Sequence, residues 1–277
     1  MSEMQAKPLA PPEFTGERMI PEGAGITTFW EHIYRYRFAV KYAPGRDILD
    51  VACGDGYGSA ALLKAGAKSL VGVDVDAATC DYARRKYHID ARQGDAAALP
   101  FPAGSFDLVV SFETIEHVPE PTRFLDECAR VLRPGGVLVM STPNVTVYNP
   151  TQDPSHNPFH CSEMTEADFR SAINSRFRLS RLYSQCPTKA RLWSTRSFRL
   201  PNTPWLKVNG FWRLQSKCRA LQAKFEQAAR ADPVGEILRS EPWASRLVNP
   251  YIVSPQSRWS GEAPTYLICV AHSLKRS

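Results

Sequence analysis

Apolar positions follow two different periods along this chain. Short, largely apolar runs at residues 47–52, 69–73, 106–112 and 136–141 predict strands, and 89–93 is read as a further short strand ahead of the loop 94–103. Between them, apolar residues at steps of three and four predict helices over 57–65, 77–87 and 121–132. Buried runs alternating with amphipathic helices build a parallel sheet covered on both faces. Ahead of these elements, Trp30, Ile33, Tyr34, Arg37, Phe38 and Lys41 give residues 29–42 a mostly apolar stripe, which predicts a helix packed across the next domain. Behind them lies a loop rich in Pro, Asn and His, 142–163. A short helix over 165–173 follows, opened by Thr165 with Asp168 three residues on, close to a capping box. Residues 177–184 and 266–271 alternate as two more strands.

The connection between those last strands, 185–265, holds five of the six tryptophans and no convincing strand. A connection of that length in a compact domain is an insertion with structure of its own. Its clearest element is a helix over 211–230, where Phe211, Leu214, Cys218, Leu221, Phe225 and Ala228 share a stripe. The expected organisation is therefore a segment and covering helix (1–44), a main domain (45–184 with 266–277) and an insertion (185–265).

Charge sharpens that division. The net charge is +6, yet residues 170–230 hold fourteen Lys/Arg and one acid, Glu226, so that stretch carries +13 and the remainder −7. A near-neutral or acidic domain carries a basic appendage. The seven cysteines (Cys53, Cys80, Cys128, Cys161, Cys186, Cys218, Cys269) are widely spaced with no CxxC pair, which speaks against a disulfide framework and a structural zinc site. No apolar run reaches the ~20 residues of a membrane span, and residues 1–12 lack the apolar stretch of a signal peptide. A cytoplasmic location is expected.

The first strand runs into a glycine turn and a helix: Ile48-Leu-Asp-Val-Ala-Cys-Gly-Asp-Gly-Tyr-Gly-Ser59. Strand, glycine turn and helix serve dinucleotides and S-adenosylmethionine alike. Spacing separates them, because G-x-G-x-x-G needs glycine at 54, 56 and 59, whereas position 59 is serine and the third glycine is Gly58. With this loop, the turn Arg133-Pro-Gly-Gly136 and a closing strand pair, the chain resembles the class I S-adenosylmethionine-dependent methyltransferases over about residues 45–185 and 265–272.

The resemblance implies an α/β, Rossmann-like, seven-stranded, mostly parallel sheet with helices on both faces, an antiparallel last strand, an N-terminal helical cover and a basic, mainly helical insertion before the last strand. It implies S-adenosylmethionine as cofactor. Asp50 and the Gly54/Gly56 turn would approach its methionine part, Asp74 its ribose hydroxyls and Asp95 its adenine amino group. Val75, Ala96, Phe112 and Glu113 complete the expected cofactor set, with Leu99-Pro-Phe101 as an apolar wall beside the adenine. Ala52 stands where many members have glycine, a change tolerable if φ stays negative. Turn or cap chemistry is the alternative for Asp50 and Asp95.

Ligands of open parallel sheets gather outside the carboxyl ends of the strands. There the fourth strand reads Ser111-Phe-Glu-Thr-Ile-Glu-His117-Val-Pro, which resembles the small-molecule branch and lacks the Asn/Asp-Pro-Pro-Tyr/Phe of nucleic-acid amino-methyltransferases. Methyl transfer needs an acceptor held at attack distance and, for an alcohol, a base. His117 is the first candidate base, packing at a strand–helix junction being the alternative. His156 and His160 follow in the loop, with Asn144 as an acceptor contact. Pro158 between the two histidines argues against a regular helix, and no metal is expected. Asn157-Pro-Phe-His160 with Glu163, Thr15-Gly-Glu-Arg18 and Glu31-His-Ile-Tyr-Arg-Tyr-Arg37 resemble segments of methyltransferases of glycan and polysaccharide assembly. That resemblance implies that the N-terminal helix covers the cofactor, with Tyr34 or Arg37 near its carboxylate.

The expected reaction is methylation of a small-molecule hydroxyl on a sugar, nucleotide sugar or glycan. An N- or C-methyltransferase, an inactive cofactor-binding partner and an NAD-dependent oxidoreductase are the alternatives. In the insertion, Arg191, Arg196 and Arg199 are candidate clamps for a phosphorylated acceptor. A lid, a homodimer contact, a peripheral membrane surface and a solvated basic face all fit its charge.

Overall fold

The computed structural model describes residues 19–153, 155–185, 223–224, 226–239, 254–255 and 265–274. Its centre is one sheet of eight strands: β1 (Asp47–Val51), β2 (Ser69–Asp74), β3 (Asp90–Gln93), β4 (Phe106–Phe112), β5 (Leu132–Pro143), β6 (Phe177–Gln185), β7 (Ser254–Pro255) and β8 (Tyr266–Ser273). The spatial order is β3-β2-β1-β4-β5-β8-β6-β7. Strands β1 to β5 are parallel, and β8 lies antiparallel between β5 and β6. Seven strands were expected. The eighth is the two-residue β7, which pairs with Tyr183 and Ser184 from within the insertion. Two residues ending in proline at a sheet edge leave no alternation to read.

Strand order reverses between β1 and β4, so the loops after them diverge and open a crevice at their carboxyl ends. The strands are apolar on both faces and divide residue by residue between two cores. Ile48, Leu108, Val110, Val137 and Val139 face one core, which is covered by α1 (Ile26–Ala39), α2 (Tyr57–Lys64) and α3 (Ala77–Tyr87). Leu49, Val109, Leu138 and Met140 face the other, under α4 (Pro121–Val131) and α6 (Glu166–Asn174); the short α5 (Val145–Tyr148) lies in the loop after β5. Burying about ten such side chains, each contributing about 1.5–3 kcal/mol, is the main reason the sheet holds this register.

Helix α1 starts three residues earlier than its apolar stripe suggests and ends in a 3-10 turn, Val40–Tyr42. It is buried almost all round, including Glu31 and Arg35. Both charges are paired: Arg35 donates to Gln185 Oε1 at 2.8 Å, Gln185 Nε2 donates to the Glu31 carbonyl, and Tyr266 donates to Glu31 Oε2 at 3.1 Å. The outer face of α1 is closed by α7 (Pro233–Leu238), a helix of the insertion, which also packs on α2. Just before α7 the chain is helical over 226–231, and Ala229 faces the core while Ala228 is exposed, one position off the expected stripe. The capping box is present, with Thr165 and Asp168 exchanging hydrogen bonds. Thr15-Gly-Glu-Arg18 and Arg191, Arg196 and Arg199 lie outside the described residues. Among those described, no helix is long and apolar enough to cross a membrane.

Candidate cofactor and acceptor site

The turn after β1 is held in a left-handed conformation at three positions: Ala52 (φ 58°), Gly54 (φ 57°) and Gly56 (φ 93°). The expectation of a negative φ at Ala52 is thus corrected. A side chain there costs about 1–2 kcal/mol. The turn tolerates it because the two residues that follow tie it to β2, by Cys53 N–H to the Val73 carbonyl (3.0 Å) and Gly54 N–H to Asp74 Oδ2 (3.0 Å). A Cβ at Gly56 would press on Ala83 of α3, and one at Gly58 would overlap the ring of Tyr36. Gly58 therefore serves a close helix approach.

That approach carries a polar contact. Tyr36 donates to Asp50 Oδ2 at 3.1 Å, and Ser59 donates to the same oxygen at 2.6 Å. Asp50 is completely buried, and burial pushes its carboxyl up to about 7 against the pull of those two bonds. Asp50 lies beneath the loop instead of lining the cavity, and Phe112, edge-on to Tyr36, is likewise behind it. Gly54 and Gly56 shape the turn without lining it.

Above the loop, at the carboxyl ends of β1, β2 and β4, is a cavity of about 360 Å3. Of the expected residues it is lined by Ala52, Asp74, Val75, Asp95, Ala96, Glu113 and His117. The expected apolar wall is replaced. Leu99 is in the sheet's second core and Phe101 packs on Phe106, while Val75, 71% exposed at the rim, supplies an open apolar face. The carboxylate of Asp74 accepts a backbone N–H at each oxygen, from Gly54 and from Asp76, and lines the cavity. Asp95 accepts from Ala97 N at 2.8 Å.

The character of this cavity discriminates between ligands. Four carboxylates (Asp74, Asp95, Glu113, Glu120) face one guanidinium, that of Arg123. The loop amides are also engaged internally, Gly54 with Asp74, Gly56 with the Cys53 carbonyl and Tyr57 with Asp55. A pyrophosphate needs such amides and a positive field. A nucleoside with a cationic tail needs a diol acceptor, an apolar face and negative charge, and these are present.

Glu113 links the cavity to the covering helix. It too has positive φ (54°), accepts from Ser141 Oγ at 2.6 Å and sits 3.9 Å from the Arg35 guanidinium. Tyr34 and Arg37 do not take that place. Arg37 stacks on the Tyr34 ring and binds Glu236 of α7 at 3.0 Å, away from the cavity. Nearly every turn of α1 is apolar or aromatic, so periodicity could not single out Arg35 and Tyr36.

The three histidines gather around one tyrosine. His117 and His160 stack edge to face at 4.7 Å, and Tyr148 lies 5.3 Å from His160 and 4.9 Å from His156. Only His117 lines the cavity; His160 stands behind it and His156 is exposed. The His160 ring bonds Glu163 at 3.0 Å, and Glu163 accepts from Asn149. Asn144 uses its side-chain oxygen to cap α5 through Thr146. Sequence reasoning missed Glu116, whose only signal is its place next to His117. It is 1% exposed, accepts from Thr142 Oγ1 at 3.2 Å, and burial with the neighbouring Glu113 holds its carboxyl well above the usual range.

Comparison with known proteins agrees with this geometry. Residues 49–140 match the family model described as a methyltransferase domain. A probable S-adenosylmethionine-dependent methyltransferase of Mycolicibacterium smegmatis is 41% identical over 164 residues, 58% of this chain and 63% of that protein. A ubiquinone biosynthesis O-methyltransferase of Coxiella burnetii is 38% identical over 105 residues, 36% of this chain and 44% of that protein. The chain thus spans less than two thirds of the length of these relatives. The crystal structure of an S-adenosylmethionine dependent methyltransferase from Mesorhizobium loti shares the fold, with a TM-score of 0.54 and 18% identity over 91% of this chain and 99% of that one. Sheet order, glycine turn and acidic cavity agree with that match, and the segment 49–140 is similar to methyltransferase domains.

Proposed function

We propose that this protein is an S-adenosylmethionine-dependent methyltransferase acting on a hydroxyl of a small polyhydroxylated acceptor, a sugar or nucleotide sugar. The observation that carries the reading is the acidic cavity at the carboxyl ends of β1, β2 and β4, with Asp74 at one end and His117 at the other. S-adenosylmethionine is the cofactor: when bound it supplies an electrophilic methyl, whose C–S bond breaks as the acceptor's O–C bond forms, sulfur keeping the electron pair and the hydroxyl proton leaving to a base. Asp74 would hold the ribose diol, Val75 would cover a face of the adenine and Asp95 would take its amino group. Glu113, fixed by Ser141 and Arg35, would keep the field negative beside the cationic sulfur.

His117 lines the acceptor end of the cavity in this arrangement. Its ring contacts the Phe159 carbonyl at 3.2 Å, which orients it toward the cavity mouth with Thr114, Glu120 and Arg123. Those polar neighbours suit an acceptor with several hydroxyls better than a long apolar chain. The test is release of S-adenosylhomocysteine from S-adenosylmethionine with a panel of nucleotide sugars, glycans and a quinol. Turnover with a carbohydrate supports the reading; turnover with the quinol or an amine alone would overturn the acceptor class.

A further inference from the structure

We infer that Glu116, His117 and His160 form a binding site for a first-row divalent transition-metal ion at the acceptor end of the cavity. One carboxylate oxygen of Glu116 and one ring nitrogen of each histidine lie within 4.8 Å of one another. These residues come from segments 43 positions apart, and the backbone fixes them together. Cys161 and Ser162 N–H both donate to the Glu116 carbonyl, at 2.8 and 2.9 Å, and Ser162 Oγ donates to the Val118 carbonyl at 3.2 Å.

Two independent features point to a cation. The first is Glu116 itself, 1% exposed, whose Oε1 has no hydrogen-bond partner among the described residues. A buried carboxylate oxygen left so is costly unless a proton or a cation meets it. The second lies behind the rings. His160 Nδ1 faces Glu163 Oε1 at 3.0 Å and His117 Nδ1 faces the Phe159 carbonyl at 3.2 Å. Both partners are acceptors, so in the neutral ring the proton sits on Nδ1 and Nε2 is the nitrogen that can ligate, and a carboxylate behind a histidine is the usual support of a metal-binding imidazole.

Two imidazoles and a carboxylate suit Zn2+, Mn2+ or Fe2+ better than Mg2+ or Ca2+, which prefer all-oxygen sets. With bonds of about 2.1 Å, tetrahedral ligand atoms sit about 3.4 Å apart, so the ligand atoms must close by up to about 1.4 Å on binding. Three protein ligands leave a position open, and His117 directs it into the cavity. There the ion would polarise the acceptor hydroxyl and lower its pKa, so that a water at the cavity mouth serves as the base that takes the proton, His117 being engaged as a ligand. That use rests on the reading in the preceding subsection; occupancy of the site does not.

The test is calorimetry of the metal-stripped full chain with ZnCl2 and with MnCl2, beside a separate titration with S-adenosylmethionine that reports on the cofactor reading alone. The expected result is one ion per chain, with binding weakened at least about tenfold in Glu116→Gln and in His160→Gln and unchanged in His156→Gln, which lies in the same loop outside the cluster. Circular dichroism and S-adenosylmethionine affinity show whether each variant is folded. Should a variant fail to fold, the absorption spectrum of the Co2+-loaded unmodified protein decides, since imidazole and carboxylate ligation gives visible d–d bands. Failure of both ions to bind, equal affinity in all variants, or a Co2+ spectrum like that of the aqueous ion would overturn the site.

Discussion

Asp50 makes the stability of this protein depend on pH in a direction opposite to that of a surface carboxylate. Its side chain is wholly buried, accepts from Ser59 and Tyr36, and is pushed up from an ordinary 3.8 to about 7. Between those values the native chain keeps a proton that the unfolded chain has lost. Stability from this group is therefore complete below the unfolded value and is lost as pH rises through the folded one, at up to about 1.4 kcal/mol per pH unit. From about pH 5 to about pH 8 the loss integrates to about 2.5 kcal/mol. Asp50→Asn keeps the shape and a carbonyl acceptor but cannot titrate. Urea unfolding followed by circular dichroism across that range, for both proteins, isolates the effect as the difference between them. The variant should gain about 2.5 kcal/mol relative to the unmodified protein from the acid to the alkaline end. A difference that stays flat, or runs the other way, would refute the account of a protonated carboxyl beneath the glycine loop.

Other substitutions test separate steps. Ala52→Gly relieves the left-handed alanine at the loop, and the gain, less the entropy of a new glycine, should leave the protein more stable by up to about 1 kcal/mol in the same unfolding assay. Gly58→Ala drives a methyl into Tyr36 and should cost about 1–3 kcal/mol, with a shift of the tyrosine signal in near-ultraviolet circular dichroism. Thr165→Ala removes the cap of α6 and should cost about 1 kcal/mol while leaving cofactor titrations unchanged.

Much of the central domain was legible because its strands are buried on both faces and bounded by turn residues. The ranges 77–87 and 106–112 match their elements residue for residue, and Asp74, Asp95 and Glu113 all reach the cavity. What escaped has physical causes. Helix α1 is enclosed by the sheet on one side and α7 on the other, so it shows no polar face from which Arg35 and Tyr36 could be singled out, and the resemblance pointed to Tyr34 and Arg37 instead. Leu99-Pro-Phe101 reads as apolar wherever it packs, and packing sends it into the core. Ala52 gives no local sign of its positive φ, which is imposed by two hydrogen bonds to β2. The nearness of Glu116 and His160 arises from long-range backbone bonds, Cys161 and Ser162 N–H donating to the Glu116 carbonyl, which leave no trace in the local sequence.

The acidic cavity is expected to take S-adenosylmethionine and not a dinucleotide. Isothermal titration of the full chain with S-adenosylmethionine and with NAD+ tests it directly, with Asp74→Asn as the site control. The account predicts one S-adenosylmethionine per chain, no heat with NAD+, and binding at least about tenfold weaker in a folded Asp74→Asn, about the 1.4 kcal/mol that a charge-assisted ribose hydrogen bond contributes. Saturable NAD+ binding, or folded protein that gives no heat with S-adenosylmethionine, would contradict it.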